Sequence, residues 1–244
     1  MSTQFRHYAK ELLNIALPII MGNLGFILIG AGDVLIAGHH STDTLAAISI
    51  ATAITNCIQT FGIGLISSVS PLLSNFRGEK KSAKKYFYPT IRFAMLLAVI
   101  VMFAVLAFIP VIDYLHFDAK LVPMIKQYMF VTAFAKFGAY LHAALKEFLQ
   151  AFEVVVFPNL VTAIAVFLNI AVNILLVFGW GIIPSLGALG LAIASFVVRY
   201  FMGFALLIYC FRMMNFNDYK DFGYYKNLIK IGIPISCAIL VEFI

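Results

Sequence analysis

The chain has 244 residues, 63% of them hydrophobic and 11% charged, with a formal net charge of +6 and a mean hydropathy of +0.99. Soluble domains carry roughly 45–50% apolar residues with Gly included and about a quarter charged, so this composition excludes a soluble globular protein and leaves a polytopic membrane protein. The three cysteines fall in apolar runs or at their ends without metal-ligand spacing, which excludes a disulfide scaffold or a structural zinc site.

The N-terminal stretch MSTQFRHYAKELLNIALPII carries too long an apolar run, and no small-residue cleavage site, to be a removable signal peptide. The first span runs over 12–37. At ~1.5 Å per residue it exceeds the ~30 Å hydrocarbon core, yet it carries Asp33. Further spans are expected over 45–73, 91–112, 127–149, 158–180 and 186–210, and a seventh opens near Leu228 and is still apolar at Ile244. The expected fold is therefore all-α, a six-transmembrane-helix bundle over 1–215, a linker over 216–227 and the start of a seventh helix over 228–244.

Alternating the linkers between two sides puts thirteen of the seventeen Lys and Arg residues on the N-terminal side, against Lys120 and Lys126 on the other. The positive-inside rule then makes the N-terminus and the 216–227 linker cytoplasmic, in the cell (inner) membrane. The run RGEKKSAKK reads as a topology-setting loop on an anionic leaflet; the lipid bilayer is the partner, and nucleic acid is not. The stretch NIALPII (14–20) returns as KIGIPIS (230–236) after six spans. An even number of spans makes the second copy parallel to the first, as in transporters built from parallel repeats. The chain is thus expected to be the first half of a protein twice as long, lacking its C-terminal lobe.

Polar groups inside the spans share one depth. Asp33 lies ~10 Å below the outer end of its span. Asn169 and Asn173, four apart in FLNIAVNILLVFG, share one helix face at similar depth, as does Ser195 on the sixth span. An ionised aspartate at mid-membrane costs at least ~2.5–3.5 kcal/mol and normally faces a cavity or a partner. These oxygens suit a small hard cation, or serve as hydrogen-bond partners of a proton-carrying acid. Lys136 and His142 lie within the fourth span and Arg199 within the sixth; Lys136 is expected either to pair with an acid or to snorkel toward the outer interface, Arg199 to reach polar groups in the bundle, and His142 to be hydrogen-bonded there. His39 and His40 have no further ligand near in sequence, and no nucleophile–base or metal constellation stands in the spans, so an enzyme is not expected.

The segments IALPI, GDVLIAGHHSTDTLAAISIA, FLNIAVNILLVFG, LGALGLAIAS and IGIPISCAILVE together resemble the multidrug and toxic compound extrusion (MATE) family, NorM-like branch, over the whole chain. The resemblance implies one six-helix lobe of two, alternating access, and export of amphipathic organic cations in exchange for Na⁺ or H⁺, with no other cofactor. It makes Asp33 the coupling aspartate, with Asn169, Asn173, Ser195 and the seventh-helix Glu242 around it. Asp33, Asn169 and Asn173 would ligate Na⁺ if that is the coupling ion. Pro18 is implied in bending of the first helix, and Tyr140 and Lys136 fall on the substrate pathway. Asn173 stands where the DinF-type branch has a second aspartate. Lys136 matches no residue of the family's pattern, and a cation facing the pathway disfavours cationic substrates. The alternative function is a lipid-linked saccharide flippase of the same superfamily, which would line its cavity with cations.

Overall fold

A computed structural model describes residues 3–80, 83–181, 184–213 and 222–243, and their side chains from Leu13 to Val241 apart from 14, 15 and 213. Eight α-helices follow in order: α1 (Thr3–His40), α2 (Thr42–Ile66), α3 (Val69–Gly78), α4 (Phe87–Phe108), α5 (Leu121–Ala151), α6 (Val156–Phe178), α7 (Ala188–Met213) and α8 (Phe222–Phe243). Short 3₁₀ turns at Lys84–Tyr86 and Ile109–Tyr114 flank α4. Six stretches of the described residues are long and apolar enough to cross a bilayer, and the chain is a multi-pass membrane protein.

Local chemistry sets the breaks. Only Ser41 separates α1 from α2; its backbone is extended and its Oγ accepts from the Thr44 amide at 3.0 Å, an N-cap that restarts the helix in a new direction. The expected span at 45–73 is divided into α2 and α3 at Ser67–Ser68. Both hydroxyls donate back to carbonyls of the preceding turn, Ser67 to Ile63 at 3.1 Å and Ser68 to Leu65 at 2.7 Å, and such back-bonding bends helices. Helix α8 begins at Phe222, inside the expected linker, because Tyr224 stacks on Tyr86 at 4.5 Å and hydrogen-bonds Thr90 at 2.6 Å. The remainder of that linker, 216–221, lies outside the described residues, as do residues 214 and 215 and the side chain of Glu242.

Helix α5, expected to be an ordinary span, is not among the six apolar stretches. It is the interior helix, packed on α2, α4 and α7, and it carries Lys136 and Lys146 at 2% and 8% exposure. The apolar residues lie outside instead: α1 exposes Leu17, Ile20, Leu24, Ile27 and Leu35, the surface a hydrocarbon solvent requires. Helix seams close on small residues, as expected where lipid is as apolar as the side chains. A Cβ on Gly138 would meet the carbonyl carbon of Arg199 and the amide nitrogen of Tyr200 at 2.7 Å, so α5 and α7 touch backbone to backbone. Helix α8 docks on α2 similarly: a Cβ on Gly232 would meet Leu65 Cα at 2.8 Å, and Ser236 Oγ donates to the Phe61 carbonyl at 2.7 Å.

Because backbone cannot yield as a side chain can, Gly138→Ala should lower the stability of the full-length protein by about 1–3 kcal/mol. Gly30→Ala, whose Cβ would meet nothing within 4 Å, should be neutral or stabilising by up to ~1 kcal/mol. Thermal unfolding of both variants in detergent checks the contrast; equal effects would show that the α5–α7 approach has slack.

Candidate functional site

Helices α1, α2, α5, α6 and α7 enclose a cavity of about 830 Å³, within the roughly 300–1,000 Å³ usual for ligand sites. At one end stands Asp33. Glycines on the α6-facing side of α1 let the two helices approach: a Cβ on Gly25 would lie 2.9 Å from Thr162 Cγ2, and one on Gly32 3.8 Å from Asn169 Oδ1. That approach brings Asp33 Oδ1 within 2.6 Å of Asn173 Nδ2, which donates to it and also to Asn169 Oδ1 at 3.1 Å. From α7, Ser195 Oγ donates to Asp33 Oδ2 at 3.4 Å. The structure thus brings Asp33 of α1 together with three of the residues expected around it, two from α6 and one from α7.

Both asparagines are fully buried, and each keeps one polar atom without a hydrogen bond: Asn169 Nδ2 and Asn173 Oδ1. A buried acceptor left open beside a carboxylate has unspent capacity, and its oxygen chemistry fits a small hard cation or a water that carries a proton. No group of three or more His, Cys, Asp or Glu residues that could hold a metal stands together among the described residues. A site for Na⁺ here would therefore rest on one carboxylate and neutral oxygens.

Lys136, expected on the substrate pathway, does not line the cavity: it is buried behind Gln59, which does line it, with Nζ donating to Gln59 Oε1 at 2.6 Å. Tyr140, expected on the substrate pathway, does not line it. It is fully buried between α5 and α2, donating from its hydroxyl to the Gln59 carbonyl at 3.0 Å and packing on Gly62, because the absence of a side chain at 62 lets the ring turn away from the cavity. Pro18 is half-buried inside an otherwise unbroken α1.

Several lining residues were not singled out as pathway groups from sequence. Tyr128 accepts from Thr52 Oγ1 at 3.4 Å near the Asp33 end. At the other end Lys146 Nζ donates to Asn23 Oδ1 at 3.2 Å and lies 5.2 Å from the centroid of the Phe26 ring, with Glu147 beside it. His142, 2% exposed, sits edge-on to Phe26 at 5.5 Å, and its Nε2 has no hydrogen bond; it is not the hydrogen-bonded bundle residue expected. Arg199 lines the cavity, and among the described residues it makes no hydrogen bond or ion pair. The signal that would have found the α2 wall was Ser49, Thr52, Asn56 and Gln59, polar at steps of three and four, a stripe along one helix face.

A sequence model of the MatE family matches residues 18–175. Among curated relatives, the multidrug resistance protein NorM of Photobacterium profundum is 25% identical over 250 residues, covering 98% of this chain and 54% of that protein. The probable multidrug resistance protein NorM of Bacillus licheniformis is 26% identical, covering 97% and 55%. Among solved structures, the eukaryotic MATE transporter AtDTX14 superposes with a TM-score of 0.85 at 21% identity, covering 98% of this chain and 55% of its own. The chain spans about half the length of the curated relatives it matches.

The two contacts on Asp33 are unequal in length, so their removal should be unequal. Asn173→Ala takes a 2.6 Å donor from a carboxylate and should cost about 1.5–3 kcal/mol, whereas Ser195→Ala takes one at 3.4 Å and should cost less than about 1 kcal/mol. Melting temperatures of the full-length variants in detergent measure the difference, and equal losses would show that Asn173 does not anchor the acid.

Proposed function

We propose, from the premise that this chain belongs to the MatE family, that it forms one lobe of a secondary active multidrug exporter. The transporter would move amphipathic organic cations outward by alternating access, in exchange for Na⁺ or H⁺. In this reading Asp33 is the coupling group, tuned by Asn169, Asn173 and Ser195, and the 830 Å³ cavity is the substrate chamber of this lobe. The N-terminus faces the cytoplasm of the cell (inner) membrane, and a second lobe of the same protein completes the pathway.

The observation that carries the reading is the double engagement of one carboxylate. Asp33 is held by α6 and α7 through Asn173 and Ser195, and it also lines the cavity. An ion or proton arriving at Asp33 competes with those two donors for the same oxygens, so loading must alter how α1 is held. A substrate in the chamber adjoins the same helix. Coupling then needs no wire between distant sites, only one element whose position both ligands bias. If the ion is Na⁺, Asp33 supplies the charge and Asn169 and Asn173 supply neutral oxygens. Pro18 would act in this scheme by weakening the helical hydrogen bonding of α1, where bending costs least. The lipid-linked saccharide alternative draws support from Arg199 and Lys146 in the wall, but it gives Asp33 and its two donors no task.

Reconstituted full-length protein, with Na⁺ and H⁺ gradients imposed separately, tests the reading. Efflux should follow one of the two gradients, and Asp33→Asn should lower gradient-driven efflux at least about tenfold while inserting normally, a change equivalent to ~1.4 kcal/mol or more. Undiminished efflux by a correctly inserted Asp33→Asn protein would place the coupling elsewhere.

A further inference from the structure

Helix α1 is held at two levels, and only one of them involves Asp33. It packs along α6 through its glycine seam, whereas side chains of α5 reach it at the end of the cavity away from the carboxylate. There Lys146 Nζ donates to Asn23 Oδ1 at 3.2 Å and stands 5.2 Å from the centroid of the Phe26 ring. His142, one turn earlier on α5, meets the same ring edge-on at 5.5 Å. Asn23 and Phe26 are three residues apart, and His142 and Lys146 four, so each pair shares a helix face. Two consecutive turns of α5 thus grip one turn of α1.

The chemistry of Lys146 suits such a tie. Its long apolar stem spans a gap that backbone does not close, and its ammonium lies over an aromatic ring. The residue is 8% exposed, so losing the Asn23 oxygen would leave a desolvated charge short of an acceptor. Position along α1 matters as much as strength. Pro18 precedes Asn23 by five residues and Asp33 follows it by ten, roughly 8 and 15 Å along the axis. The tie therefore stands between the proline, where helical hydrogen bonding is interrupted, and the carboxylate held by Asn173 and Ser195. Motion that begins at Pro18 meets Lys146 before it meets Asp33.

We propose that Lys146 is a positioning residue that ties the N-terminal half of α1 to α5 independently of Asp33, so that α1 moves as two segments rather than as one rod. The inference goes beyond the exporter reading, in which the hold on α1 lies at Asp33, and it stands on contacts this lobe makes whatever it transports. In an exporter of that kind, loading of Asp33 frees the C-terminal segment while the turn around Asn23 stays on α5.

Hydrogen–deuterium exchange of purified full-length protein in detergent, followed separately over 19–28 and 29–37, provides the test. Lys146→Met keeps the stem and removes the charge, and it should speed exchange over 19–28 at least about tenfold while leaving 29–37 unchanged. Lys146→Arg should retain most of the wild-type protection. Asn23→Ala, at an exposed position of α1, should reproduce the Lys146→Met pattern, and the two changes together should add little to either alone. It carries the test by itself if Lys146→Met misfolds. Asn173→Ala, which takes the short donor from Asp33, should show the reverse pattern, with faster exchange over 29–37 alone. Unchanged exchange over 19–28 in the Asn23→Ala protein overturns the inference. So does a rise shared equally by both segments, which would show α1 to be held as one piece. Either result leaves the exporter reading standing, since no transport is measured.

Discussion

A bilayer offers no water to a carboxylate, and the hydrogen bond from Asn173 to Asp33 is how this fold meets that constraint. The bond joins α1 to α6 across a seam that glycines hold close, and the 2.6 Å contact needs that closeness. Moving α1 away from α6 by the width of one methyl group would break that bond and take from Asp33 its shorter donor. The seam is therefore both a packing feature and an electrostatic one. Most of α1's remaining surface is apolar and faces outward, so its polar anchoring to the bundle at this depth is concentrated at one residue.

The same constraint turns α5 inside out relative to its neighbours. A helix with Lys136, His142, Lys146 and Glu147 within three turns is a poor membrane span by composition, and it occupies the centre of the bundle instead. There its polar atoms have α2, α1 and the cavity as partners, and its small residues let α7 approach to backbone contact. Burial of cations, rare in a soluble protein, is here the cheaper arrangement, because the alternative surface is lipid.

This inversion explains what could be read from the sequence. The spans were legible because apolar runs of membrane length have few other uses. The constellation of Asp33, Asn169, Asn173 and Ser195 was legible because each polar residue interrupts a run and depth can be counted along a helix. Tyr140 was misplaced because its direction depends on Gly62 of another helix, and no property of α5 alone contains that information. The division of α2 from α3 was missed because two serines resemble ordinary span residues until their hydroxyls turn back on the helix. The polar stripe of α2 was present at helical spacing but mild in character, Ser, Thr, Asn and Gln, with no charge to mark it out within an apolar span. Facing, unlike depth, is set by partners.

Hydrogen-bond satisfaction and charge neutralisation are separate requirements, and this cavity meets the first more fully than the second. Gln59 and Asn23 give Lys136 and Lys146 acceptors, so neither ammonium is stranded. An amide dipole, however, does not offset a full charge as a carboxylate would. Among the described residues, the salt bridges found, Arg77–Glu153 and Lys126–Asp113, involve none of the cavity's cations. The fields of Lys146 and Arg199 therefore act on the chamber's contents through space, together with the opposing fields of Glu147 and Asp33 in the same lining. In a low-dielectric enclosure such a field reaches farther than it would in water. It bears on Asp33 as well as on any guest, so the charge of a guest and the charge state of that carboxylate are linked by electrostatics alone, before any helix moves.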